Sequence, residues 1–312
     1  HSGLIGGSKY QITNSVRLRA SASASFSRTP GAAGNMKLLT KRFRIKRGTL
    51  GVKQVIASAG TASIDAFYFD SSDRLCLDVL GTVRLVTTSV YRGPSGWYPD
   101  VGFTLDVANG TAALRAAILI NGTEVTSYST DTRSAIANSN TNWNNTVVQY
   151  LGKDNAGSYF DGYFAEVLQV DGSTSVTAYS ATDSNGVRVP VAPSATYGTT
   201  GSLLDFKDAN LTAGSNVGLG KDVSGNGNYW TTNNISVTAG VTYDAMVDTP
   251  TNNYATLNPI IPSAANISYA ALRSGTTAVQ GTMEAAVFAG AYWEVTAAGS
   301  AVTAGVISGT GT

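Results

Sequence analysis

From Val16 to Phe26 the chain alternates: Val16, Leu18, Ala20, Ala22, Ala24 and Phe26 fall on one side, Arg17, Arg19, Ser21, Ser23 and Ser25 on the other. A period of two predicts one half-buried strand. The device recurs at Arg42–Arg47, with Phe43 and Ile45 turned to a core and Arg42, Arg44 and Lys46 turned away from it. Strand-like runs follow at Gln54–Ser58, Ile64–Asp70, Leu75–Leu80, Val83–Thr88, Val101–Val107, Ala113–Ile120 and Thr146–Leu151. Turn sequences separate them at Ser71–Asp73, Pro94–Gly96, Ala108–Gly110, Asn121–Gly122 and Asp154–Gly157. Ala112–Leu119 is the strongest helix candidate, but its β-branched end and Asn-Gly flanks favour a strand. Phe160–Gly172, with Asp-Gly at both ends, reads as a strand held between two tight turns. The Gly-rich stretch Leu4–Tyr10 reads as an extended arm.

The pattern predicts an all-β chain built on an antiparallel β-sandwich. Composition agrees with it. The 312 residues are 43% hydrophobic, enough for one or two cores, while only 13% are charged and 34 are glycine. So low a charge content suits a turn-dense β protein, or one whose surface is spent on subunit contacts. The net charge of +1 hides an asymmetry. No acidic residue precedes Asp65, and the same stretch carries Lys9, Arg17, Arg19, Arg28, Lys37, Lys41, Arg42, Arg44, Lys46, Arg47 and Lys53. One cysteine, Cys76, excludes an internal disulfide, and with a single histidine, His1, a Cys/His zinc site is out of reach. No apolar run approaches the roughly 20 residues that cross a bilayer, and the start lacks a signal-peptide profile, so no membrane insertion is expected.

Three runs carry a resemblance: Tyr10–Ala24, Ser27-Arg28-Thr29-Pro30, and Lys46-Arg47-Gly48-Thr49-Leu50-Gly51. Together they resemble the opening of concanavalin-like, laminin-G-type jelly rolls of bacteriophage virion proteins, and Phe160–Val167 is similar to that family's closing motif. Asp222–Trp230, Asp248–Asn252 and Asn253–Pro259 resemble the connector that joins such a jelly roll to a SPRY-like domain, and Ala291–Val295 the first strand of that domain. The resemblance implies an arm at 1–12, a laminin-G-like jelly roll at 13–182, a connector at 183–262 and a Gly/Ala/Thr-rich β segment at 263–312. The last is either an incomplete SPRY-like unit or an inter-subunit packing segment. It further implies a structural virion component: a tail fibre or appendage subunit, with a capsid decoration or head-fibre protein and a polysaccharide-degrading enzyme as alternatives. The partners it implies are other virion proteins (tail or portal-adaptor components), further copies in a homotrimer, and a host-surface glycan.

Candidate sites follow from residue chemistry. Trp97, Tyr98, Trp143, Tyr150 and Tyr159 lie in or beside loops, where exposed aromatics stack on sugar rings in lectins of this fold; packing in a core or interface is the competing use. Arg42, Arg44 and Lys46 share one strand face, which is either solvated or a docking surface for an acidic virion component. In Asp222–Trp230 the oxygens of Asp222, Asn226 and Asn228 suit calcium, but one carboxylate is little charge, and a tight turn explains the same residues. No other cofactor is expected. No catalytic residue is assigned: the nearest pair for glycoside hydrolysis, Asp161 and Glu166, has a spacing that places the two on opposite faces of a regular strand. Cys76 reads as a small buried hydrophobe, Trp230 and Trp293 as structural. Cations alternating along strands with few interleaved aromatics argue against nucleic acid.

Overall fold

The computed structural model describes residues 10–93, 96–175 and 178–254, together with the backbone of a two-stranded hairpin, Ile267–Ser268 with Arg273–Ser274. Most of the expected arm, most of the 263–312 segment and Trp293 lie outside the described residues.

The chain enters one sheet as β1 (Ser15–Leu18), crosses to a facing sheet as β2 (Ser25–Arg28) and returns as β3 (Leu38–Arg47). A meander of β4 (Gln54–Ala59), β5 (Asp65–Phe69), β6 (Arg74–Val79) and β7 (Thr82–Val90) fills the second sheet. The first sheet then gains β8 (Tyr98–Asp106), β9 (Ala116–Ile120) and β10 (Thr123–Glu124), and the second gains β11 (Tyr128–Asp131) and β12 (Gln149–Leu151). The long strand β13 (Gly162–Asp171) inserts between β1 and β3. It pairs Phe164 with Val16 on one side and Val167 with Phe43 on the other. The opening and closing segments are therefore neighbours, and among the described residues every pairing between strands is antiparallel. The result is an antiparallel β-sandwich of the jelly-roll class, with two eight-stranded sheets.

The residues read as a connector are built into this sandwich. After a separate hairpin of β14 (Ser180–Thr182) and β15 (Arg188–Pro190), β16 (Ser202–Leu204) pairs with β13, β17 (Thr231–Asn233) with β2 and β18 (Ala245–Met246) with β1. Leu204, Phe206, Leu219 and Trp230 join the same hydrophobic cluster as Phe43, Phe67, Phe103 and Phe164. Within that core Phe67 lies 5.3 Å from Phe103, and Phe103 5.3 Å from Trp143, in tilted ring pairs.

Two expectations need correction. Val16–Phe26 is not one strand: Ala20–Ala22 form a 3-10 turn, Ser23 takes a left-handed backbone (φ 58°), and the two halves lie in different sheets. Small Ala and Ser side chains hold no face strongly, so the chain can turn there and keep both Leu18 and Phe26 in the core. Ala113–Ile120 is likewise split, a 3-10 turn at Ala112–Leu114 preceding β9.

Lys41 is the anomaly of the interior. It lies on the face of β3 that carries Phe43 and Leu39 into the core, fully buried, and its Nζ has no hydrogen-bond partner. That nitrogen sits 4.5 Å from the ring centre of Trp143 and 5.4 Å from that of Trp230. A desolvated cation–π contact is worth about 2 kcal/mol, whereas an unpaired buried ion costs several. Desolvation therefore wins. It pushes the amine well below its ordinary value, and the Arg28 guanidinium adds to the effect.

A lysine whose folded-state value is lowered makes stability rise with pH between the folded value and the unfolded one, about 10.4. Lys41→Met, which fills the same space without the amine, is expected to be more stable than the parent by about 1–3 kcal/mol at neutral pH. The gap should close as pH approaches about 10. Urea unfolding of both proteins from pH 6 to pH 10 checks this; a constant gap would contradict it.

Candidate functional site

The basic block defines what is available at the surface. Arg42, Arg44 and Lys46 do alternate away from the core, but they are not exposed: each is 6% accessible or less. This corrects both the solvated-face and the docking-surface expectations. Arg42 makes a two-pronged pair with Asp100, its Nε 2.7 Å from Oδ1. Arg44 Nε lies 2.5 Å from Glu166 Oε2, with its guanidinium 3.8 Å from the centre of the Tyr179 ring. Lys46 Nζ donates to Asp248 Oδ2 at 2.8 Å and to Asn253 Oδ1 at 2.8 Å. On β1 and just after it, Arg17 and Arg19 converge on Asp244, at 3.0 and 2.8 Å. Asp100 and Glu166 lie in β8 and β13, while Tyr179, Asp244, Asp248 and Asn253 come from beyond β13, and strand periodicity has no means of revealing such a cover.

The Asp222 loop is a turn. Asp222 accepts N–H groups from Leu203, Ser224 and Asn228 at 2.9, 2.9 and 2.7 Å. The Asn226 and Asn228 amides donate to carbonyls of Gly198, Thr199 and Gly201, and Asn228 Oδ1 accepts from Arg28. The Asp222 carboxylate and the Asn228 oxygen are thus taken up by hydrogen bonds within the protein. Among the described residues no group of three His, Cys, Asp or Glu side chains is placed to hold a metal.

The aromatic candidates separate. Trp143 is fully buried in the core and cannot meet a sugar. Tyr159 lies at an isolated bridge with Lys153, whose Nζ sits over the Tyr150 and Tyr159 rings at 4.6 and 5.4 Å. Trp97 and Tyr98, by contrast, line one depression of about 450 Å3 with Pro99, Asn121, Arg188 and Asn253. The Trp97 indole N–H donates to Asp248 Oδ1 at 3.0 Å, and its ring leans on Tyr163 at 6.2 Å, so its orientation is fixed. The Tyr98 hydroxyl accepts the Gly93 N–H at 3.1 Å, and its ring meets Tyr91 edge-on. Asn121 and Gly122 form the turn of the β9–β10 hairpin, both with positive φ (53° and 77°). Asn121, Arg188 and Asn253 were not legible as site residues, because the approach of β15 and of residues 250–253 to the start of β8 is a tertiary fact.

The two acids weighed for glycoside hydrolysis are both turned inward. Asp161 accepts the Ala20 N–H at 3.1 Å and the Thr49 hydroxyl at 2.7 Å, and Glu166 is taken up by Arg44 and Tyr10; both acids are buried. A second depression of about 280 Å3 is lined by Lys53, Ser63, Ile64, Asp78 and Asp154, among others. Burial pushes the Asp78 carboxyl up to about 6. Its Oδ1 is closed to solvent and unpartnered, Asp154 is paired with Lys53, and no aromatic ring lines the space. Cys76 is buried in β6, and burial pushes its thiol up to about 12, which suits the small-hydrophobe reading.

No protein-family model and no curated protein sequence matches this chain. Among solved structures it is similar to a native heptameric SAP-like pentraxin from Limulus polyphemus, at 14% identity over 53% of this chain and 80% of that one, with a TM-score of 0.36. It is also similar to a candidate carbohydrate binding protein from Bacteroides ovatus, at 15% identity over 60% of this chain and 62% of that one, TM-score 0.37. At these values the class rests on the chain's own strands: an antiparallel jelly-roll β-sandwich with one aromatic-lined surface depression.

Asp244 is the most loaded of the buried acids. Asp244→Ala leaves two buried guanidinium groups without a carboxylate and is expected to cost about 3–5 kcal/mol in urea unfolding. Asp70→Ala, which breaks the more exposed Arg74 pair, is expected to cost about 1 kcal/mol or less. Equal losses in the two variants would contradict the assignment.

Proposed function

We propose that this chain is a structural and adhesive subunit of a tailed-phage appendage, whose sandwich binds a host-surface glycan at the Trp97 depression. The virion placement rests on the resemblance of residues 10–24, 27–30, 46–51, 160–167, 222–230 and 248–259 to phage laminin-G-like proteins. The observation that carries the sugar reading is the half-buried Trp97 ring, held by Asp248 and Tyr163 beside the amides of Asn121 and Asn253. A rigid aromatic face flanked by carboxamides is the usual chemistry of a pyranose subsite, since the ring stacks on C–H groups while the amides meet hydroxyls. The mechanism is binding rather than turnover: Asp161 and Glu166 are buried and committed to Arg44, hydroxyls and a backbone N–H.

Binding to polysaccharide extracted from the host surface is expected to fall about tenfold or more in Trp97→Ala, with thermal unfolding little changed. Tyr159→Ala is expected to bind as the parent does. Undiminished binding by Trp97→Ala would overturn the site, and new reducing ends in the same incubation would overturn the non-enzymatic reading. The appendage assignment carries a second expectation: sedimentation should give three copies of the 32.2 kDa chain, and a monomer at every concentration would count against a trimeric fibre.

A further inference from the structure

The charge around the Trp97 depression is one-sided. Arg188 is the sole charged residue lining it, and its guanidinium has no carboxylate within ion-pair reach among the described residues. Instead its Nε donates to the Ser180 hydroxyl and its Nη1 to the Thr182 hydroxyl, both at 3.1 Å. Thr182 is its cross-strand partner in the β14–β15 hairpin, so neutral groups set the direction of the fork without neutralising it. The Nη2 end passes over the Asn121–Gly122 turn, where a Cβ on Gly122 would lie 2.9 Å from it.

The nearby acids do not cancel this charge. Asp100 is held by both prongs of Arg42 and by the Ser180 hydroxyl, and Asp248 by Lys46 and the Trp97 indole. Among the described residues lining the depression, a half-exposed guanidinium beside an indole face and a carboxamide turn is thus the one unbalanced charge. Arginine's planar fork matches a carboxylate with two parallel hydrogen bonds. The volume of about 450 Å3 lies within the range of small-molecule clefts.

We propose that the depression selects acidic sugars, with Arg188 as the group that recognises the carboxylate of a uronic or ulosonic acid residue while Trp97 stacks on its ring. This rests on the sugar-binding reading above and specifies its ligand class. Inorganic phosphate offers similar charge without the ring, so it serves as a competitor that separates charge alone from acid sugar.

The test uses polygalacturonate, hyaluronate and polysialic acid, each beside its carboxyl-reduced, neutral form, with binding measured by biolayer interferometry at low and high salt. At least one acid polymer is expected to bind tenfold or more tighter than its reduced form. That preference should be lost in Arg188→Gln, partly restored in Arg188→Lys, weakened by salt, and unaffected by millimolar phosphate. Unchanged melting of the Arg188 variants shows that the fold is intact. Equal, Trp97-dependent binding to acid and reduced forms would overturn the acid preference and leave sugar binding standing. Binding of none of the polymers, or displacement by phosphate alone, would also overturn the acid-sugar assignment. Loss of Trp97-dependent binding to host polysaccharide would remove the reading beneath it.

Discussion

Five cations on the outer face of one sheet are neutralised by four carboxylates, two of which arrive from the far end of the described chain. Arg42 and Arg44 are matched within the sandwich by Asp100 and Glu166; Arg17, Arg19 and Lys46 wait for Asp244 and Asp248. A buried pair adds little net stability over an apolar pair of the same shape, but losing one partner is costly, because the other charge is stranded. The arrangement therefore works as a condition. The first sheet can bury β1 and β3 only when residues 244–248 are in place, and the strands that follow β13 are bound to the jelly roll they appear, in sequence, merely to trail.

The same clasp orients the surface site. Asp248 accepts from Lys46 with one oxygen and from the Trp97 indole with the other, so the ring offered at the surface is positioned by the ion pair beneath it. Asn253 is tied to the same ammonium. Charges spent internally are also charges withdrawn from the surface, which is why a chain with so basic a beginning presents, at this depression, a single uncompensated guanidinium. The buried cations of the basic block are structural, and Arg188 lies outside that block.

Much of the fold was legible because strands of a sandwich write themselves as period-two patterns. Gln54–Ser58, Leu75–Leu80 and Phe160–Gly172 coincide closely with β4, β6 and β13, since large apolar side chains there hold one face. Ala20–Ala24 misled, since alternating Ala and Ser carry too little hydrophobic contrast to bind a face, and the chain crosses between sheets at that point. The site was half legible. Trp97 and Tyr98 stand out as aromatics beside a turn, yet nothing in the sequence separates them from Trp143, whose ring fills the core beside Phe103. Arg42, Arg44 and Lys46 have the signature of an exposed strand face; only the cover laid over them by distant residues shows otherwise.

Native-state hydrogen exchange reports most directly on whether that cover belongs to the cooperative unit. If the clasp is as described, backbone amides of β16, β17 and β18 exchange with the same opening free energy as those of β3 and β13, and Asp244→Ala lowers all of them together. Exchange of residues 202–246 through a separate, low-energy opening, with β3 and β13 still protected, would contradict it.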